Sequence, residues 1–235
     1  MIYILTYQSN TDLNMQRSIK KYKGVLLFTG LIFLLITVLS CQRVKESHFP
    51  DGTIKSRQEF KGKKEHGIST WYFDNGSKEL EMNYHEGVPQ GLMTRWYYSG
   101  QKELQEQYKE GKKNGPSLRW DIQGRLIEEV NFRDDSLHGE YIQYYENGLV
   151  KIEGYYKMGK FDSTWTYYNI SGMKVGDGKY ENGSGIQRAY YPNGRIRLIV
   201  PYKNNQRNGY EITLSQDGKE TGRVLFKNDI PVNIK

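Results

Sequence analysis

The sequence predicts an all-β protein, an elongated antiparallel β-meander of about seven hairpin repeats. Three observations predict it: glycine recurs at a fixed interval, aromatic residues recur in register with it, and turn-forming residues separate them. Repeats open at Gly67, Gly91, Gly115, Gly139, Ser163, Gly185 and Gly209, at intervals of 24, 24, 24, 24, 22 and 24 residues, and a partial unit, residues 49–66, leads in. With 20 tyrosines, 25 glycines and a mean hydropathy of −0.78, the composition suits strands and turns rather than a thick aliphatic core.

Numbering each repeat from its opening residue turns the pattern into columns. Column 10 is glycine throughout: Gly52, Gly76, Gly100, Gly124, Gly148, Gly172, Gly194 and Gly218. Asn, Asp or Ser usually precedes it, and such pairs supply the positive φ of a tight hairpin turn. Column 18 is always aromatic: Phe60, Tyr84, Tyr108, Phe132, Tyr156, Tyr180, Tyr202 and Phe226. Column 6 is aromatic at Tyr72, Trp96, Trp120, Tyr144, Tyr168 and Tyr190, and becomes Leu214 in the last repeat, which reads as a capping unit. Columns 14 and 16 mix Leu80, Met82, Leu104 and Val130 with Gly154, Gly176 and Gly178, so aliphatic support is patchy and ring support regular.

Each unit therefore reads as strand, tight turn, strand, looser turn, the looser turn covering columns 19–24. The repeat from Ser163 is expected to lose its two residues in that looser turn. Two strand spacings advance the sheet by about 10 Å per repeat, so seven repeats span roughly 70 Å. Same-column rings at that separation should not touch, and each needs a partner from the strand between. An isolated unit should not fold.

The N-terminus carries a different message. Residues 24–40 are 17 residues without a charge, preceded by Arg17, Lys20, Lys21 and Lys23 and followed at once by Cys41, the only cysteine. A basic segment, an apolar segment and a small residue make a secretory signal. Val38-Leu39-Ser40-Cys41 resembles the bacterial lipobox, which implies lipid attachment at Cys41. Residues 1–40 are thus expected to be a signal peptide, 41–48 a lipidated linker and 49–235 the repeat domain. Met15 opens a more usual signal than Met1 and is the expected true start. Gln42 after the cysteine points, by resemblance to sorting rules, to the outer membrane facing the periplasm.

The hairpins, their Asn-Gly turns and their paired aromatics resemble MORN repeats, in the bacterial variant found in YwqK-family antitoxin-like proteins. Trp71-Tyr72-Phe73-Asp74-Asn75-Gly76, Tyr144-Tyr145-Glu146-Asn147-Gly148 and Tyr190-Tyr191-Pro192-Asn193-Gly194 carry the likeness, which covers residues 49–235. It implies a fold and a style of binding.

Chemistry is scarce. The chain lacks a nucleophile elbow, a phosphate-binding loop, a dinucleotide fingerprint and a His-Glu-x-x-His motif. His66 and His138 share column 24 but stand three repeats apart, and His48 and His85 complete the set, so no metal site, cofactor or enzyme activity is expected. Of 34 basic and 27 acidic residues, four and one fall in residues 1–40, leaving 30 and 26, a balance that demands no nucleic acid. The leading expectation is a membrane-anchored protein-binding or scaffolding module whose contact surface includes the column 7 tyrosines Tyr97, Tyr145 and Tyr191. A carbohydrate or peptidoglycan binder using rings as platforms, and an antitoxin or immunity-like protein, are the alternatives.

Overall fold

The computed structural model describes residues 42–232; the expected signal peptide, Met15 and Cys41 lie outside the described residues. All described secondary structure is strand: β1 (Gln42–His48), β2 (Ile54–Lys61), β3 (Lys64–Tyr72), β4 (Lys78–His85), β5 (Val88–Trp96), β6 (Lys102–Lys109), β7 (Lys112–Trp120), β8 (Leu126–Arg133) and β9 (Ser136–Tyr144) form the first half. The second half is β10 (Val150–Lys157), β11 (Lys160–Tyr168), β12 (Lys174–Glu181), β13 (Ser184–Tyr190), β14 (Ile196–Lys203), β15 (Gln206–Arg207), β16 (Gly209–Leu214), β17 (Glu220–Lys227) and β18 (Ile230–Val232). They make one sheet in which each strand except β15 pairs antiparallel with the next in sequence. β15 and β16 both pair with β14, so the sheet has seventeen strand positions and a width of roughly 75 Å.

Residues 42–48, expected as a linker, are β1, paired with β2 from Gln42↔Lys61 to His48↔Ile54. This is the first strand of a further repeat, hidden because Arg43 and His48 stand where the other repeats carry a small residue and a large apolar one.

The two turn classes exchange places relative to the sequence reading. In all eight Gly loops the column 7 N–H bonds the column 11 carbonyl, and the Gly N–H bonds back to column 7, as in Phe73 N to Ser77 O at 2.9 Å and Gly76 N to Phe73 O at 3.0 Å. Only the glycine has positive φ, +79 to +89°, so this is the three-residue loop with a terminal glycine, and Asn75 stays right-handed. The tight two-residue turns are the returns. Glu86-Gly87, Glu110-Gly111, Asp134-Asp135, Met158-Gly159, Asn182-Gly183, Asn204-Asn205 and Asn228-Asp229 have positive φ at both residues. Asn and Asp tolerate that conformation through local polar contacts, which is why these positions need not be glycine.

What made the returns look loose is a β-bulge just after them. Met82 faces Met93 and Tyr84 faces Pro89, so Gln90-Gly91-Leu92 stand opposite Asn83 alone. Column 1 is the bulged position. Gly115, Gly139 and Gly209 adopt φ of +116 to +120°, and a Cβ there would press on Gln107, Asn131 or Pro201. The two missing residues of the repeat from Ser163 are therefore lost from this bulge and not from the turn: Glu181↔Ser184, Tyr180↔Gly185 and Lys179↔Ile186 run on without a shift, and β13 has 7 residues where β5 has 9.

Both margins are laced from repeat to repeat. Each return turn donates an N–H to the previous unit, as in Gly87 to Glu65 O at 2.7 Å, Gly111 to Pro89 O at 2.9 Å and Gly159 to Leu137 O at 2.7 Å. Asn205 reaches furthest: its Nδ2 donates to Gly159 O and its Oδ1 accepts from Phe161 N, both at 2.8 Å, spanning the short repeat. At the opposite margin Asn75 Nδ2 donates to Tyr98 O and Asn147 Nδ2 to Ile170 O.

Candidate functional site

Strand alternation puts columns 3, 5, 14, 16 and 18 on one face and columns 2, 4, 6, 15 and 17 on the other. The two aromatic columns therefore serve opposite faces. The first face is the core. Met82, Met93 and Leu104 are buried against Trp71, Leu80, Tyr84 and Tyr108. Further along the array aliphatics give way to rings: Trp165, 4% exposed, stacks on Tyr141 at 5.5 Å and meets Tyr156 and Phe161 edge-on at 5.0 and 4.9 Å.

The glycines that made aliphatic support look patchy belong to this cluster. A Cβ at Gly154 would lie 2.5 and 2.6 Å from Cε2 and Cε3 of Trp165, and one at Gly178 would lie 2.7 Å from the Tyr180 hydroxyl. Column 3 and column 16 thus exchange bulk, Ser69 facing Met82 and Trp165 facing Gly178. Same-column rings do meet here: Tyr180 and Tyr202 are 5.6 Å apart, edge to face, in the stretch without a bulge. Burial pushes the Tyr180 hydroxyl far above its ordinary range. Glu106, the one carboxylate buried in the core face among the described residues, is held by Lys113 at 2.6 Å and accepts from Tyr108 at 3.1 Å. Burial, with the Glu106 charge second, raises Tyr108 to about 12.

On the other face five column 6 rings, Trp96, Trp120, Tyr144, Tyr168 and Tyr190, are tied to the preceding repeat. Tyr144, Tyr168 and Tyr190 donate to Glu129, Glu153 and Asp177 at 2.6, 2.6 and 2.9 Å. Lys78 lies over Trp96 and Lys102 over Trp120, 5.4 and 5.7 Å from the ring centres. A sugar stacking on the covered faces of Trp96, Trp120 or Tyr190 would have to displace Lys78, Lys102 or Lys174, which weighs against the glycan alternative there.

The column 7 tyrosines expected at a contact surface have a structural task. Tyr97, Tyr145 and Tyr191 donate to the carbonyls of Trp120, Tyr168 and Leu214, each one repeat ahead, at 2.9, 2.9 and 2.8 Å. Their rings are half-buried. Five of the exposed apolar groups lie beside them, in columns 8 and 11: Tyr98 (55% exposed), Ile122 (53%), Leu149 (43%), Ile170 (63%) and Met173 (61%). These sit on successive Gly loops, so they line one margin at about 10 Å pitch. Sequence reasoning passed over them because it took the loops as turn chemistry alone, although an apolar residue in a tip surrounded by Asn, Asp and Gly was a visible signal. At the end of the row Asn169, Met173, Lys174, Tyr190, Tyr191 and Pro192 line a cavity of about 330 Å³.

The histidines also have local tasks. His138 Nδ1 accepts from the return-turn N–H of Met158 at 3.4 Å, and Gln90 Oε1 and Asp162 Oδ2 do the same for Glu110 and Asn182. His66, in the same column, pairs with His85 at 4.8 Å between ring centres. Among the described residues no three His, Cys, Asp or Glu side chains converge as a metal site would require.

Against known families, residues 65–86, 137–158 and 184–204 match the MORN repeat variant. These three units are similar to the MORN repeat. Each matched segment runs from the strand before a Gly loop to the first residue of the following return turn, so the family unit is one hairpin of this sheet. No curated protein matches the chain.

Proposed function

We propose that this chain is a non-enzymatic, lipid-anchored protein of the bacterial envelope that binds a protein partner along the Gly-loop margin of its repeat sheet. MORN repeats are in general protein- and membrane-binding modules without catalytic parts. The observation that carries the reading is the row from Tyr98 to Met173. Tyr98 also packs on the Phe73 ring at 5.2 Å and donates to Asp74 at 2.9 Å, whereas the large aliphatic side chains on the tips after it, Ile122 to Met173, stand in water and mark an interaction site. Anchoring follows from Cys41 and the apolar segment before it, and the lipobox-like sequence supports it.

Ile122→Asp with Ile170→Asp should leave the circular dichroism spectrum unchanged and abolish cross-linking to the envelope partner. A doubly substituted chain that cross-links as well as wild type would refute the margin as the binding site. Cys41→Ala should release the protein from the membrane, and labelled palmitate still entering that variant would refute the anchor.

A further inference from the structure

The chain joins the sheet inside a cluster of positive charge. Gln42 pairs with Lys61 and Arg43 with Phe60, so residue 42 stands directly beside the turn Lys61-Gly62-Lys63-Lys64. Arg43, Lys45, Lys61, Lys63 and Lys64 are all exposed, and none of them has a carboxylate partner among the described residues. The nearby acids are engaged elsewhere: Glu46 with Arg57, Glu59 with the Ile68 N–H, and Glu65 with Gln58 and Ser69. Residues 42–64 hold seven basic and three acidic groups, whereas residues 65–183 hold 14 basic and 19 acidic.

We propose that this first hairpin is a basic foot that seats the array end-on against an anionic membrane surface, with the rest of the sheet projecting away. The proposal rests on the anchored reading for its tether. β1 begins one residue after Cys41, so a lipid there leaves no linker and puts Arg43 and the lysine turn at headgroup level. The acidic stretch from residue 65 to 183 is repelled by the same surface, which opposes lying flat. The last repeats, residues 184–232, are basic again with eight basic and four acidic groups, but they stand at the far end of a sheet roughly 75 Å wide. They reach the surface only if the acidic middle is pressed onto it. Attraction between such a cluster and anionic lipid decays within a Debye length of about 8–10 Å, so only the foot is engaged.

The test uses the chain from Gln42 onward, which holds every described strand, in flotation with phosphatidylcholine vesicles with and without phosphatidylglycerol. Binding should require phosphatidylglycerol and weaken with salt. Lys61→Gln/Lys63→Gln/Lys64→Gln should lower partition about a hundredfold at low salt, with an unchanged circular dichroism spectrum. Lys203→Gln/Lys227→Gln at the far end should leave partition as it is. Equal binding to neutral vesicles overturns the proposal, and so does a triple variant that floats like wild type, or far-end substitutions that matter as much. Recovery with soluble polyanions but not with vesicles overturns it too. Palmitate labelling at Cys41 is read separately, so a failed anchor and a failed foot give different results.

Discussion

Gly154 gives the sharpest test of how the core is built. Its φ is not positive, so the glycine is there for space alone: an added Cβ would drive into the Trp165 ring, which is 4% exposed and wedged among Tyr141, Tyr156 and Phe161. Overpacking of this kind costs about 2–3 kcal/mol. The lower backbone entropy of alanine in the unfolded chain returns about 0.5–1 kcal/mol. Gly154→Ala should therefore destabilise the array by roughly 1–2 kcal/mol, a fall in Tm of about 2–8 °C for a domain of this size. Trp165→Leu alone should cost more, because it opens a cavity among rings. Combined, the two changes should cost less than their sum, since leucine vacates the space the new methyl enters. Urea and thermal melts followed by far-UV circular dichroism give all four corners of the cycle. Strict additivity would refute the exchange of bulk between columns 3 and 16. Gly148→Ala is the control: nothing lies within 4 Å of its Cβ, so its cost comes only from φ of +80° and should be unaffected by Trp165→Leu.

Three further outcomes are expected. Deleting residues 115–138 removes one full period and should leave a soluble, folded array, whereas deleting residues 115–126 joins mismatched half-units and should aggregate; equal solubility and equal spectra would show that 24 residues are not the structural unit. Alkaline pH should unfold the protein. Tyr108 and Tyr144 are raised to about 12 from an ordinary 10.0, mainly by burial and then by Glu106 and Glu129 respectively. The folded state keeps protons that the unfolded chain releases, so their stabilisation is whole below pH 10 and is lost as pH rises towards 12; a melting temperature that is flat across that window would contradict the assignment. Asn205→Gly keeps the positive φ but removes two bonds across the short repeat, which should cost about 1–3 kcal/mol. It should also speed hydrogen exchange at the Phe161 amide, and unchanged protection there would mean the clamp is idle.

The repeat was legible because its strictest columns have single physical causes. Gly148 and its column mates must reach positive φ, and Tyr156 and its mates must fill the core face, so neither tolerates exchange. The bulge was illegible because Gly91 and Gly115 read as the small residues that open a repeat after a loose turn, and only the pairing register reveals that three residues oppose one. The first strand was missed because Arg43-Val44-Lys45-Glu46 carries neither column signal, yet backbone pairing with β2 suffices to hold it. The structural task of Tyr97, Tyr145 and Tyr191 was hidden for a related reason. A tyrosine beside a turn reads as a surface ring, and its bond to a carbonyl 23 residues away leaves no trace in local sequence.

The serial pairing of the strands has a mechanical consequence. The two ends of the described chain sit at opposite edges of the sheet, and the line between them runs across the strands. A pull between a tethered first strand and a partner held further along therefore opens ladder bonds one after another instead of shearing a whole strand at once. Each repeat that yields releases 24 residues, about 80 Å of extended chain, in place of the 10 Å or so it spans in the sheet. Stretched from its ends, the array should lengthen in steps of about 70 Å at low force, a compliant tether that lets its attachment points drift apart without letting go of either.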